Sequence, residues 1–73
     1  MTDHFDFSQL SEKWPSPLVA RSEVKRFSGG LLNGRTLANL DCQGRGPRGK
    51  VVVGRRVAYT VESLVEFLRE RAA

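Results

Sequence analysis

The clearest hydrophobic pattern in the chain lies near its C-terminus. Apolar residues there follow the i, i+3, i+4, i+7 spacing of one helix face, at Val61, Leu64, Val65 and Leu68. Thr60 precedes this run and can cap the first turn with its hydroxyl oxygen. The spacing therefore predicts a helix from Val61 to about Arg71, with its apolar stripe facing a core.

Two shorter helical patterns come earlier and are separated by a glycine turn. In the first, Val24 and Phe27 lie three residues apart and Ser22 is placed to act as the N-cap. The sequence Ser28-Gly29-Gly30 ends this helix after about two turns, because glycine readily adopts the backbone conformation that follows a helix.

The second pattern predicts a helix of about ten residues, capped by Asn33 and ended by Gly44. Leu37 and Leu40 share its apolar face. The opposite face combines two hydrogen-bonding side chains with two small residues, namely Arg35, Asn39, Ala38 and Cys42.

Two β-branched runs around Gly54 predict a β-hairpin. Its turn has either two residues, Gly54-Arg55, or three, 54–56. We favour three, because that register places four apolar side chains on one face: Val51, Val53, Val57 and Tyr59. In both registers Arg55 and Arg56 project from the tip.

Residues 1–17 are predicted to be an N-terminal arm. Trp14-Pro15-Ser16-Pro17 prevents a regular helix from crossing that junction, so we expect the first dozen residues to be poorly ordered. Trp14 itself is expected to plug the edge of the core. Leu18 and Val19 would form a short extended segment that leads into a folded domain, residues 18–73.

The order of elements predicts an α+β fold of the small winged helix-turn-helix type: helix, turn, helix, basic loop, hairpin wing and C-terminal helix. One small core is expected, because 73 residues bury only a modest share of their surface. We predict that this core consists of Val24, Phe27, Leu37, Leu40, Val57, Tyr59, Leu64 and Leu68.

Composition narrows the class of protein. The 40% hydrophobic and 27% charged residues are ordinary for a folded soluble domain. No apolar run of ~18 residues and no signal-peptide pattern is present, so we expect a cytoplasmic protein without membrane contact. Cys42 is the single cysteine, which excludes an internal disulfide and a multi-cysteine zinc site. We expect no bound nucleotide, because the glycine-rich loop 44–50 precedes a strand, whereas a phosphate-binding loop precedes a helix. We also expect no metal and no other cofactor.

We also expect that the protein is not an enzyme. Its one histidine, His4, lies in the arm, with no pattern of metal ligands or catalytic partners around it. No histidine can be placed beside Cys42 from the sequence, so a nucleophilic role for this cysteine has no support.

The charge is concentrated in one part of the chain. The whole chain carries +4, yet residues 25–59 hold eight lysines and arginines against Asp41 alone, a net charge of +7. Residues 1–14, by contrast, carry −2. Such a segment is typical of proteins that bind a polyanion, although it also occurs on ordinary solvated surfaces.

Double-stranded DNA is the polyanion that best fits the side chains of the second predicted helix and of the basic segment 25–59. Arg35 can donate two hydrogen bonds to guanine, Asn39 can pair with adenine, and Ala38 can contact a thymine methyl group. A phosphate contact or simple exposure to solvent is an equal alternative for Arg35, and an ordinary surface amide is the alternative for Asn39. Neutralisation of phosphates is assigned to the cations of the loop and the hairpin, namely Arg45, Arg48, Lys50, Arg55 and Arg56.

The chain resembles the excisionase and AlpA-like small DNA-binding proteins, whose helix-turn-helix is related to that of the MerR regulators. The resemblance covers roughly residues 18–71. It rests on Ser22-Glu23-Val24, Phe27-Ser28-Gly29-Gly30, Thr36-Leu37-Ala38-Asn39-Leu40, Gly44-Arg45-Gly46-Pro47, Gly54-Arg55-Arg56-Val57 and Leu64-Val65-Glu66-Phe67-Leu68. Two departures stand out. The family commonly has a basic or aromatic residue around Ala38-Asn39, and a bulky apolar residue where this chain has Gly46.

The resemblance implies that the second helix enters the major groove, while the hairpin wing contacts the backbone or the minor groove. It implies a role in site-specific recombination of a mobile element, or alternatively in transcriptional regulation. A basic module that docks on an acidic protein is the third interpretation. We expect the free protein to be a monomer that acts with further copies on DNA or with an integrase, because one short recognition helix specifies too few base pairs.

Overall fold

Three short antiparallel strands organise the fold. The computed structural model describes residues 6–72, and within them the strands are β1 (Leu18–Ala20), β2 (Lys50–Val53) and β3 (Arg56–Thr60). The sheet order is β1-β3-β2. Strand β3 is therefore central, with Tyr59 opposite Val19 of β1 and Val57 opposite Val52 of β2. The described residues thus form a small α+β domain.

The described part of the chain contains four helices. They are α1 (Ser8–Lys13), α2 (Val24–Phe27), α3 (Gly34–Cys42) and α4 (Val61–Arg71), and a 3₁₀ turn, Arg21–Glu23, joins β1 to α2. The bounds of α4 match those predicted from its apolar stripe. In residues 6–72 no helix is long and apolar enough to cross a membrane.

Two of the three predicted helix caps are confirmed. The side chain of Asn33 accepts a 2.8 Å hydrogen bond from the backbone N–H of Thr36, and the Thr60 hydroxyl accepts one of 3.1 Å from Ser63. The prediction for Ser22 is wrong. This residue lies inside the 3₁₀ turn and makes no capping bond. The 3₁₀ turn follows β1 directly, and α2 starts only at Val24.

The turn between α2 and α3 is held by one buried hydroxyl. Ser28 donates to the carbonyl of Val24 at 2.7 Å and accepts from the N–H of Leu32 at 2.8 Å. Gly29 and Gly30 have φ angles of 67° and 94°, a region where residues with a Cβ are strained. The predicted end of the first helix is therefore confirmed.

The preferred register of the hairpin is wrong. Val53 pairs with Arg56, so the turn has two residues, Gly54-Arg55, and Gly54 adopts a φ of 61°. A glycine with positive φ at the first turn position suits a type II′ turn, whose twist matches that of the strands. Val52 and Val57 therefore share the face of Tyr59, while Val51 and Val53 point to the other face.

Residues 8–13 form α1, where we expected a poorly ordered arm; residues 1–5 lie outside the described range. Asp6 supports the start of the helix, because its carboxylate accepts from the backbone N–H of Ser8 at 3.1 Å and from its hydroxyl at 2.6 Å. Helix α1 lies against α4. The proline-rich junction does end the helix, as predicted, at Lys13.

Trp14 packs at the edge of the core, as expected. Its ring meets the ring of Phe27 edge-on, with 5.4 Å between the centroids. The indole N–H donates to the carbonyl of Leu18 at 3.0 Å, and the guanidinium of Arg26 lies over the ring. The junction is thereby fastened to the domain by both packing and a hydrogen bond.

Six of the eight predicted core residues are buried, and the other two, Leu40 and Val57, are half-buried at the margin. The core is larger than predicted and also includes Val19, Leu32, Val61, Val65 and Phe67. Helix α4 accounts for three of these five additions. Helix α4 packs against α1 as well as against the sheet, so its buried residues are not confined to the single apolar stripe seen in the sequence.

Candidate nucleic-acid interface

Helix α3 presents the face that the sequence assigned to it. Arg35, Asn39 and Cys42 are exposed and Ala38 is half-buried, while Leu37 on the other side is completely buried. The capped N-terminus of α3 also lies at the surface, where Asn33 and Gly34 line a groove. The three residues predicted to read bases therefore lie on one accessible helix face.

The groove beside this N-terminus is strongly cationic. It separates the hairpin tip from the beginnings of α2 and α3, and three exposed cations line it: Lys25, Arg55 and Arg56. Ser22 and Asn33 add hydrogen-bonding groups. No carboxylate of the described residues lines the groove. Because the N-terminal end of a helix carries a partial positive charge, α3 adds to this potential.

Lys25 was not among the predicted contact residues. The sequence placed it on the first helix, and only the fold brings that helix opposite the hairpin tip. Its position within the basic segment 25–59 was a signal that could have suggested it.

The five cations predicted to bind phosphate do not form one cluster. Arg55 and Arg56 lie at the groove just described, whereas Arg45 and Arg48 line a different one, between the glycine-rich loop and α4. Three glutamates of α4 line this second groove, namely Glu62, Glu66 and Glu70. Within residues 6–72 neither Arg45 nor Arg48 forms an ion pair with any of them. The electrostatic potential therefore differs between the two grooves.

Lys50 lies apart from both grooves. It is an exposed residue at the start of β2 and stands opposite Tyr59 of β3. Since residues directly opposite in an antiparallel pair share a face, its side chain leaves the sheet on the side of the core.

A partly buried polar cluster of three residues ties α3 to the sheet. The Arg21 guanidinium donates to Oδ2 of Asp41 at 2.7 Å through Nη2 and to the Tyr59 hydroxyl at 3.0 Å through Nε. The Tyr59 hydroxyl in turn donates to the same Asp41 oxygen at 2.6 Å. Only 9% of the Asp41 side chain is exposed. The 3₁₀ turn, α3 and β3 thus meet at a single carboxylate.

The pairing of Arg21 with Asp41 was not predicted from the sequence. One signal was available, since Asp41 is the only acidic residue in the basic segment 25–59. A single carboxylate among eight cations indicates a structural ion pair. Its partner, however, lies twenty residues away and cannot be chosen without the fold.

Gly46 makes room for this carboxylate. A Cβ at position 46 would overlap Oδ1 of Asp41 and would stand only 2.9 Å from its Cγ, a separation that real Cβ atoms essentially never show. The glycine is therefore required by the buried Asp41, and not by a positive φ. This accounts for the departure noted at position 46, because a bulky residue there would displace the carboxylate.

The cluster shifts the pKa values of Tyr59 and Arg21. Burial raises the pKa of Tyr59 to about 12; the hydrogen bond to the Asp41 carboxylate also raises it, and the Arg21 charge opposes the shift. The hydrogen bond with Tyr59 raises the pKa of Arg21 above its ordinary value, and the bond with Asp41 adds to this. The Tyr59 hydroxyl and the Arg21 guanidinium therefore stay protonated well into the alkaline range.

The described residues offer no site for a metal ion. In residues 6–72 no three histidine, cysteine, aspartate or glutamate side chains come together in a way that could bind one. Cys42 is exposed on α3, and His4 lies outside the described range.

Comparison with known proteins adds no relative. No protein-family model, curated protein or solved structure matches the chain. The functional interpretation therefore depends on the exposed face of α3 and on the cationic groove beside it.

Proposed function

We propose that the protein binds double-stranded DNA through a winged helix-turn-helix. In this assignment α2, the glycine turn and α3 form the helix-turn-helix, and the β2–β3 hairpin is the wing. The observation that carries the proposal is the cationic groove beside α3. Among residues 6–72, three cations without an ion pair line this groove and no carboxylate does. A DNA strand lying in this groove would bring the exposed face of α3 against the bases.

The dimensions of α3 suit the major groove. An α-helix with its side chains is about 10–12 Å in diameter, which matches the width of the major groove of B-DNA, about 12 Å. The nine residues of α3 extend about 14 Å along the helix axis. Arg35 and Asn39 are one turn apart on the exposed face, at the spacing needed to contact neighbouring base pairs. Arg35 would contact guanine O6 and N7, and Asn39 would contact adenine N6 and N7.

The wing and α2 supply the contacts to the backbone. Lys25, Arg55 and Arg56 form no ion pair within residues 6–72, so each is free to neutralise a phosphate. Every neutralised phosphate releases condensed counterions, which makes the affinity fall steeply as salt rises. The non-specific part of the binding thus comes from the wing, and the discrimination between sequences comes from α3.

The experiment that tests this function is fluorescence anisotropy of a labelled duplex titrated with the protein at several salt concentrations. We expect a linear decline of log K with log salt and a slope between about −3 and −4.5, because about three to five phosphates are neutralised. A single-stranded oligonucleotide of the same sequence is the matched control. Absence of duplex binding at low salt, or a slope near zero, would contradict the proposal.

For the biological role we propose site-specific recombination of a mobile element, with an integrase or further copies of the protein on the same DNA. Support comes from the resemblance of residues 18–71 to the excisionases. A gel-shift assay with circularly permuted fragments tests this role, since an excisionase organises its site by bending it. A protein that binds its site without bending it would be assigned to transcriptional regulation instead.

A further inference from the structure

The sheet has an open edge that carries exposed valines. Among residues 6–72, strand β2 pairs only with β3 and has no neighbour on its other side. Val52 is 58% exposed and Val53 is 70% exposed. Edge strands of monomeric proteins are usually blunted by charges, prolines or bulges. Here Lys50 is the single charge in the strand, and three successive β-branched residues follow it.

The hydrogen-bond pattern identifies which backbone groups are free on this edge. The N–H of Thr60 donates to the carbonyl of Gly49 at 3.0 Å, so Gly49 and Thr60 form a hydrogen-bonded pair. Such pairs alternate along an antiparallel ladder, which directs the backbone groups of Val51 and Val53 toward β3. The N–H and the carbonyl of Val52 consequently point outward, away from the sheet.

We propose that β2 pairs with β2 of a second copy in antiparallel orientation, centred on Val52. In this register the outward groups of the two Val52 residues bond to each other, and Val51 lies opposite Val53 of the second copy. Apolar side chains then meet apolar side chains on both faces. Lys50 falls opposite Gly54 of the second copy, so the register avoids placing two charges directly against each other.

Charge and area set the strength of this pairing. A stable protein interface buries about 1,200–2,000 Å², and a strand of four residues provides only a fraction of that. Lys50, Arg55 and Arg56 also bring positive charge to the seam from both copies. The pairing is therefore weak in the free protein. The paired form becomes populated when a polyanion neutralises these charges. This expectation rests on the proposed DNA binding.

The symmetry of the pairing predicts the arrangement of the DNA sites. A two-fold axis through the Val52 pair runs perpendicular to the sheet, so the two three-stranded sheets become one and both core faces lie on the same side. The two α3 helices then have opposite orientations on that side. A pair of copies would thus recognise an inverted repeat, since protein symmetry is mirrored in the half-sites.

Site-directed cross-linking tests the register. The exposed Cys42 is first replaced by serine, and Val52→Cys and Val53→Cys are each made in that background. Two cysteines at position 52 would face each other, whereas two at position 53 would have Cα atoms about 8 Å apart, beyond the reach of a disulfide. With duplex DNA and mild oxidant, we expect a covalent dimer of Val52→Cys to form about tenfold faster than that of Val53→Cys. A mixture of Val51→Cys and Val53→Cys proteins should form the mixed dimer, because these positions lie opposite each other.

Anisotropy of the labelled duplex is recorded in the same samples, so that a failure of pairing and a failure of DNA binding are distinguished. Equal rates for Val52→Cys and Val53→Cys, or no covalent dimer on a saturated duplex, would overturn the pairing and leave the DNA binding intact. If no duplex is bound, the comparison is repeated without DNA at millimolar protein and high salt, where screening replaces the polyanion. A faster reaction of Val52→Cys there supports the pairing alone, and equal rates overturn it.

Discussion

The hydroxyl of Tyr59 donates a 2.6 Å hydrogen bond to the carboxylate of Asp41, and this bond joins the central strand to the last turns of α3. Tyr59 lies on the same strand as Arg56 at the hairpin tip, and Asp41 lies on the same helix as Arg35 and Asn39. The bond therefore helps to fix the wing relative to the helix face that we assign to base reading. Arg21 stiffens the link, since it donates to both groups.

Removal of the Asp41 carboxylate should destabilise the protein more than removal of a surface charge. Asp41→Ala leaves the Arg21 guanidinium and the Tyr59 hydroxyl without their shared acceptor, so we expect the free energy of unfolding to fall by about 2–4 kcal/mol. Urea denaturation followed by circular dichroism measures this. The matched control is Glu23→Ala, which breaks the exposed pair with Arg26 and should cost less than about 1 kcal/mol. Equal costs for the two variants would refute a structural role of the cluster.

Gly46 should be energetically coupled to Asp41. A methyl group at position 46 overlaps the carboxylate, so Gly46→Ala should cost about 1–3 kcal/mol through overpacking. In the Asp41→Ala background the obstructing group is gone, and we expect most of that cost to disappear. A double-mutant cycle of unfolding free energies measures the coupling. Additive costs would show that the glycine is needed for another reason.

The phenol of Tyr59 should make the stability depend on pH in the alkaline range. Its pKa in the folded protein, about 12, lies above the ordinary value of 10.0. The folded state therefore disfavours the phenolate, and this contribution to stability is complete below pH 10 and is lost as the pH rises through 12. Between pH 10 and 12 we expect the wild type to lose about 1–2 kcal/mol more than Tyr59→Phe, which lacks the ionisable hydroxyl. Parallel pH profiles of the two proteins would disprove the shift.

The two pairs of arginines should differ in their effect on DNA binding. Arg55→Ala with Arg56→Ala removes two charges from the cationic groove, and the salt slope should become shallower by about one to two. Arg45→Ala with Arg48→Ala removes the same charge from the groove that contains three glutamates, and we expect a change below about half of that. Anisotropy titrations at several salt concentrations compare the two variants. An equal effect would mean that binding depends on net charge alone.

The elements of the fold were largely predictable because local signals specified them. The apolar stripe of α4, the side-chain caps of Asn33 and Thr60 and the glycine turn after α2 each depend on residues within one or two turns. The register of the hairpin was not predictable from hydrophobicity, because valines fill both faces of β2. The backbone of Gly54 selected the shorter turn instead, a possibility that the sequence left open.

The candidate site likewise has features that could be predicted from the sequence and features that could not. The exposed face of α3 follows from helical periodicity, and the structure places Arg35, Ala38 and Asn39 on it as predicted. The grouping of cations into two grooves, the participation of Lys25 and the Arg21–Asp41–Tyr59 cluster all involve residues that only tertiary packing brings together. The sequence shows how many charged residues the chain has, but it does not show which of them are neighbours in the fold.

Titration of the isotopically labelled protein with duplex DNA, followed by amide NMR, identifies the residues that contact the nucleic acid. We expect the largest changes in chemical shift along the exposed face of α3 and at the hairpin tip, around Arg35, Asn39, Arg55 and Arg56. Smaller changes are expected at Lys25. The glutamate-lined side of α4 should remain unchanged and serves as the internal control. Changes confined to the loop 44–49 and α4, or no changes at saturating duplex, would contradict the assignment of α3 as the helix that meets DNA.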